Sequence, residues 1–397
     1  MKLHVACLAG AFVSLATPEA LAQPSYTLTP LASLGKNGAA TTPQAINEAG
    51  RVVGKGLTAS ERCHYGLCSY QHAVVWSNGI PLDLHPFESL GVSGVNDINN
   101  VGQIVGGWDD IGRPDSGGAF VRQDGLVIIL PSLGGWTGAT AVNDVGQIVG
   151  WSAVAVEENR RAVLWQNGEL IELGTYPDGM VSYAQDINEV GQIVGTGALV
   201  GTSGSRRATL WQGGAMINLG TLSGGSQSFG VAINKAGQIV GWADEDGAIF
   251  ADRAAMWQQD PRTDEWTIVA LSHDESRAHD INDFGQVVGE TASVDFPQGR
   301  ATLWDNGETF DLNELLARNT GWTLRRAWTI NNAGQIAGQG WDAHGNANGF
   351  LLTPIARPPT DADADVDLGE LLALLRDWGV LGVPLVPQVT SIFAEAE

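Results

Sequence analysis

The string Asn-x-x-Gly-Gln-Ile/Val-Val-Gly occurs seven times along this chain, beginning at Asn47, Asn99, Asn143, Asn188, Asn234, Asn282 and Asn331. Arg51 takes the place of Gln in the first copy, and Ala337 that of the second Val in the last. The mean spacing is about 47 residues, so the fold must be an array of one supersecondary unit. A second string follows in most copies: HAVVW (72–76), RAVLW (161–165), RATLW (207–211), RAAMW (253–257) and RATLW (300–304). GAFVR (118–122) and GFLLT (349–353) are weaker versions. A turn such as Asn167-Gly168 and an apolar run such as ELIELG (169–174) come next.

Each unit therefore holds four short strands. Strand a ends at the Ile before the Asn, b is the Gln-Ile-Val segment, c ends in the Trp, and d is the Leu-Gly run. In the a–b turn an Asn carboxamide can bond its own backbone, and the Gly three residues on takes positive φ without steric cost. Four strands in about 45 residues is the period of a β-propeller blade. A solenoid of that period would need polar capping units, which neither end supplies. The run YTLTPLASLG (26–35) reads as a strand d with nothing before it, and NGFLLTPI (348–355) as a strand c with no d after it. The expected fold is an all-β, seven-bladed β-propeller over residues 26–355, its N-terminal strand completing the last blade and hiding the open edges.

Composition narrows the setting. Of 397 residues 52 are Gly, which suits short strands and tight turns. The formal charge of −23 repels phosphate backbones and excludes a nucleic-acid partner. Residues 1–22 read as a signal peptide, with Lys2, an apolar stretch from Val5 to Leu15 and Ala20-Leu21-Ala22 for cleavage. That stretch is too short to span a bilayer, and no later segment is long enough. The expectation is a secreted monomer, extracellular or periplasmic, without a transmembrane segment. Cys63 and Cys68 then remain, and in an exported chain a local disulfide is expected, with a two-thiolate metal site as the rival.

The alternation INxxGQIVG, (H/R)AxLW and LGTLxGG resembles the HAF-repeat proteins, a family of exported bacterial repeat proteins. INEVGQIVG (187–195), RATLWQGGAMINLGTLSGG (207–225) and INKAGQIVG (233–241) carry the resemblance best. Only His72 keeps the family's His before the Ala; Arg stands there in most copies. The resemblance implies export and a propeller-like array, and no defined reaction. Beyond a Pro-rich linker (356–360), DADADVDLGELLALLRDWG (361–379) resembles one dockerin repeat, an EF-hand-like calcium loop and helix, followed by a tail (380–397). Asp361, Asp363 and Asp365 match the first ligands, Asp367 the hydrophobic-Asp pair, and Glu370 the final bidentate acid. The span from Asp361 to Glu370 is shorter than the twelve-position loop, lacking the turn Gly and the carbonyl donor. The segment reads as a weak Ca2+ site, with a protein partner through it, or as a degenerate relic beside a solvated acidic linker. It offers the one cofactor the sequence suggests.

Signatures of catalysis are sparse: no GxSxG, HExxH, P-loop or paired CxxC occurs. The strand-c tryptophans recur at one position and read as packing between blades. Arg161, Arg207, Arg253 and Arg300 recur likewise and are expected to pair with carboxylates such as Asp186 and Asp280. The a–b and c–d turns are uniform, so function is expected on the opposite face, where the b–c and d–a connections vary. There Trp108-Asp109-Asp110, Trp151 with Glu157, Trp242 with Asp244 and Asp246, and Trp341-Asp342 set aromatic planes beside acids. That combination suits sugar rings, which stack on aromatics while their hydroxyls donate to carboxylates. The reading is a secreted, non-catalytic binding or scaffold propeller for carbohydrate or another cell-surface ligand. The alternatives are a polysaccharide hydrolase or lyase using acids that converge at the channel, and a structural envelope or matrix protein.

Overall fold

A computed structural model of the protein describes residues 24–35, 40–58, 61–63, 66–68, 70–85, 91–110, 117–154, 159–199, 205–245, 252–293 and 296–355. These form seven four-stranded antiparallel sheets, the blades of a β-propeller. Blade 4 shows the plan, with a at Ser182–Ile187, b at Ile193–Ala198, c at Arg206–Gln212 and d at Ala215–Asn218. Blade 1 runs from Thr41 to Asp83, blade 2 from Gly91 to Ile129, blade 3 from Gly134 to Gly174, blade 5 from Ser228 to Ala270, and blade 6 from Glu275 to Asp311. The strands of blade 7, Thr323 to Pro354, are completed by Tyr26–Pro30 as strand d. Leu31 N–H donates to Gly349 O (2.9 Å) and Thr27 Oγ1 to Thr353 O (3.3 Å), which fixes that seam. A short hairpin, Glu61–Cys63 with Gly66–Cys68, branches from the b–c connection of blade 1, its register opposing Cys63 to Gly66 and Cys68 to Glu61. The segments 1–22, 356–360, 361–379 and 380–397, including Asp361, Asp363, Asp365, Asp367 and Glu370, lie outside the described residues.

Both glycines of the repeated string have a steric reason. The turn Gly adopts φ between 71° and 87° in all seven copies, a region closed to most side chains. The Gly ending the string faces a bulge in strand a, and a Cβ there would run into the opposed carbonyl, for example Tyr183 O at Gly195. The repeated Asn does more than shape its turn. Its Oδ1 accepts the N–H of the residue four places on, as from Gln192 to Asn188 at 3.0 Å. Its Nδ2 donates to the main-chain carbonyl of the next blade's Asn. That link runs from Asn47 to Asn99, Asn143, Asn188, Asn234, Asn282 and Asn331, then from Asn331 back to Asn47, at 2.9–3.3 Å. All seven Asn side chains are buried, and the hydrogen bonds close into a ring around the channel.

Apolar packing is divided among the seven blade interfaces. Trp257 of blade 5 packs with Val194, Ala208 and Leu210 of blade 4, and Trp304 of blade 6 with Ala232 and Val240 of blade 5. Trp76, Trp165 and Trp211 do the same at three other interfaces, so the five strand-c tryptophans are packing residues, each at most 4 % exposed. Blades 2 and 7, the weaker repeats, carry Arg122 and Leu352 at the Trp rung, and Phe120 and Phe350 fill their interfaces from two rungs earlier.

Two outcomes follow from this arrangement. Asn188→Ala leaves the Gln192 N–H without a partner and takes from the Asn234 carbonyl one of its two donors, the Gly237 N–H keeping the other. It should cost about 1–3 kcal/mol in denaturant melts, against less than about 1 kcal/mol for Asn100→Ala at the exposed turn. Deleting residues 26–35 should expose two strand edges and produce aggregation or a large loss of melting temperature; a truncated protein that melts like the parent would contradict the seam.

Candidate functional site

In a four-stranded meander the a–b and c–d turns share one face, and the b–c and d–a connections share the other. The expected binding tryptophans reach the second face from strands, not loops: strand b runs on through Trp108, Trp151 and Trp242 and ends at Trp341. Trp151 and Trp242 share one rung, the residue after the string's last Gly, where the other blades place Lys55, Gly107, Thr196, Glu290 and Gln339.

Blades 1–3 bring Trp108, Asp109 and Trp151 into one cleft of about 280 Å3. Trp136 and Lys55 line it as well, and the sequence reading did not single them out. Trp136 starts strand a of blade 3 outside both repeated strings, so periodicity gave it no weight. It is also the most open of the rings, 45 % exposed. Trp108 is half-buried against the core between blades 1 and 2. The Trp151 ring carries the Arg160 guanidinium 4.2 Å above its centroid and packs close over Gly138, where a Cβ would crowd the indole. The backbone of Asp110 pairs with Gly91 at the end of the same strand as Trp108. Glu157 and Asp246 lie outside the described residues.

The remaining expected ligand residues sit apart from that cleft. Trp242 stacks on Phe229 (5.0 Å) in a second cavity of about 320 Å3 that also holds Arg277, His279, Glu290, Arg326 and Trp328. Glu290 accepts from Arg326 Nε at 2.7 Å, with His279 Nε2 at 3.7 Å. Burial pushes the Glu290 carboxyl up, but the nearby His279 ring and the hydrogen-bonded Arg326 guanidinium outweigh it and hold the group below its usual range. Asp244 is buried, and its oxygens accept from Ser226 N (2.7 Å), Ser226 Oγ (2.6 Å) and Gln227 N (2.6 Å), tying down the d–a connection. Asp342 accepts from His344 N and Asn346 N, both at 2.9 Å, and so shapes the b–c turn beyond Trp341. Arg325 lies 4.4 Å over the Trp341 ring.

Carboxylates do converge on the channel, in a form the sequence did not suggest. Asp97, Asp186 and Asp280 stand two residues before the Asn of blades 2, 4 and 6, where the other blades carry Ala45, Ala141, Ala232 and Thr329. Each accepts its own neighbour's N–H and, with the other oxygen, an N–H of the following blade, all at 2.8 Å: Ile98 and Val142, Ile187 and Ile233, Ile281 and Ile330. The expected pairing of the repeated arginines with Asp186 and Asp280 is therefore corrected, because those carboxylates satisfy main-chain donors freed by the strand-a bulges. Arg300 pairs instead with Asp311 (2.9 Å), Arg161 approaches Glu172 (3.9 Å), Arg253 approaches Glu245 (3.8 Å), and Arg207 donates to Ser226 O. Burial is the main cause that pushes the trio up, Asp97 and Asp280 to about 7 and Asp186 to about 6, against the contrary pull of the amide donors. No group of three or more metal-binding side chains occurs among the described residues.

These acids set the pH response. A carboxyl that titrates at 6–7 when folded, against 3.8 ordinarily, keeps its proton in the folded state across that interval. Its stabilising share is complete below about pH 4 and is lost as the pH climbs through 6–7. Thermal melts should therefore show a higher transition at pH 5 than at pH 8, and Asp97→Asn with Asp186→Asn and Asp280→Asn should flatten the difference. An unchanged slope in that variant would locate the titration elsewhere.

No protein-family model and no curated protein sequence matches the chain. Among solved structures, the β-propeller domain of the Trilobed protease from Pyrococcus furiosus aligns over 83 % of this chain and 98 % of that domain, with 9 % identity and a TM-score of 0.51. That domain has an open velcro topology, whereas here the first strand completes blade 7. TolB from Acinetobacter baumannii aligns over 77 % of this chain at 13 % identity and a TM-score of 0.40, and the match spans 64 % of TolB. No helix among the described residues is long and apolar enough to cross a membrane. At 9 % identity the likeness to the protease's propeller domain speaks to the fold alone, and with the seven four-stranded sheets it gives the conclusion: the chain is a seven-bladed β-propeller.

Proposed function

We propose that this propeller is an exported binding module of the HAF-repeat kind that takes a carbohydrate in the cleft of blades 1–3. One observation carries the reading: Trp108, Trp136 and Trp151 gather with Asp109 in a single depression on the variable face. Aromatic rings supply stacking planes for the apolar faces of a sugar, and the carboxylate accepts from its hydroxyls. Export rests on the N-terminal residues 1–22, and a protein partner through the acidic segment 361–379 belongs to the same proposal.

A glycan array paired with hydrolysis assays on the retained glycans tests it. Retention without turnover is the expected result. Stacking on an open ring contributes about 1–2 kcal/mol, so Trp136→Ala should weaken a retained glycan roughly five- to thirtyfold and leave the melting temperature nearly unchanged. Trp165→Ala, in the core between blades 2 and 3, should instead cost about 3–5 kcal/mol of stability. If no glycan is retained, or if Trp136→Ala destabilises the fold as much as Trp165→Ala, the cleft is not a sugar site.

A further inference from the structure

The rung that carries Trp151 and Trp242 in blades 3 and 5 carries Lys55 in blade 1, so a cation stands where sibling blades offer a ring. Its stem lies across Gly94 of blade 2, where any Cβ would collide with it, and the side chain lines the tryptophan cleft. Glu290, at the same rung in blade 6, is met by Arg326 of the next blade. Lys55 has no such counterpart: among the described residues it makes no ion pair and no side-chain hydrogen bond. Ser93, Asn96, Gln71 and Asp109 share the cleft with it, and none forms a hydrogen bond or ion pair with its ammonium.

The chain as a whole is strongly acidic, with 44 Asp and Glu against 21 Lys and Arg, so a half-buried lysine without a carboxylate runs against its surroundings. Removing water from an ammonium costs free energy that an internal partner normally offsets. Burial accordingly pushes the Lys55 ammonium below its usual range. An anionic ligand would offset that cost on arrival, at the place where the three indoles would hold a ring.

Building on the carbohydrate reading, we propose that the cleft selects a sugar bearing a carboxylate, of the uronate class, with Lys55 Nζ meeting the carboxylate while Trp136 stacks on the ring and Asp109 takes hydroxyl donors. Asp109 on the same wall then disfavours a second negative group, so one carboxylate per bound residue is the fit.

Oligogalacturonides and their methyl esters share every ring hydroxyl and differ in that charge and one methyl per residue, which makes them the probes. Titration calorimetry on the whole protein should show the acid form binding at least about tenfold tighter than the ester, with an advantage that shrinks as salt rises. Lys55→Met should abolish the preference while retaining ester binding, and Lys55→Arg should keep most of it. Equal affinity for both forms, or a preference untouched by Lys55→Met, overturns the uronate inference and leaves the carbohydrate reading standing. Failure of the acid, the ester and neutral cello-oligosaccharides to bind at all overturns both.

Discussion

Seven Asn carboxamides hold the blades in register at the axis. In six of the seven both N–H groups are used: the oxygen closes its own turn, one N–H reaches the Gln side chain, and the other crosses to the next blade. Losing one Asn strands a turn amide and takes from the next blade's carbonyl one of its two donors, the turn Gly N–H keeping the other, and the buried setting makes each link worth more than a surface hydrogen bond. The second Asn hydrogen also explains the Gln of the repeated string. Arg51, the one substitution there, has no such acceptor, and Asn47 makes the longest link of the ring, 3.3 Å.

Just inside that ring the polar bookkeeping changes rule. One Asp serves two blades, so the acid is needed only at every second blade, and Ala fills the gaps. Seven is odd, so pairs cannot tile the circle; the pattern breaks between Thr329 and Ala45, next to the blade built from both ends of the propeller. The Thr329 hydroxyl turns to Asp280, adding a further donor to an already doubly bonded carboxylate. The acids thus serve as fasteners between blades, and Glu290, the acid that lines the second cavity among the described residues, is held by Arg326 with His279 beside it.

Much of this was legible in the sequence because the repeat registers seven times. Blade number, strand order, the seam and the packing role of the strand-c tryptophans all follow from period and residue type. What escaped is whatever depends on curvature. Asn reads as a turn former from its local string; only the radius of a closed ring brings its second N–H within reach of a carbonyl 44 to 52 residues on. Asp186 and Asp280 read as partners for arginines, because a freed bulge amide leaves no mark in a sequence. Lys55 and Trp136 drew no notice for the opposite reason: they depart from the repeat, and departures stand out only once the rungs are aligned. Asp244 and Asp342 carry the residue type of a binding acid, yet their oxygens are occupied by nearby amides and hydroxyls.

The seam of blade 7 has a mechanical corollary. Thr27 faces Thr353 and Leu31 faces Gly349, so the strand that begins the propeller and the strand that ends it run antiparallel, with their outer ends side by side. Force applied between those two ends would load the hydrogen bonds in sequence, like a zip fastener, and not all at once as in shear. The propeller should therefore yield at low force through one strand pair, while the other six blades, whose strands are joined by their own hairpins, stay folded. Tethered by one end alone, the same ring would carry no load across its seam.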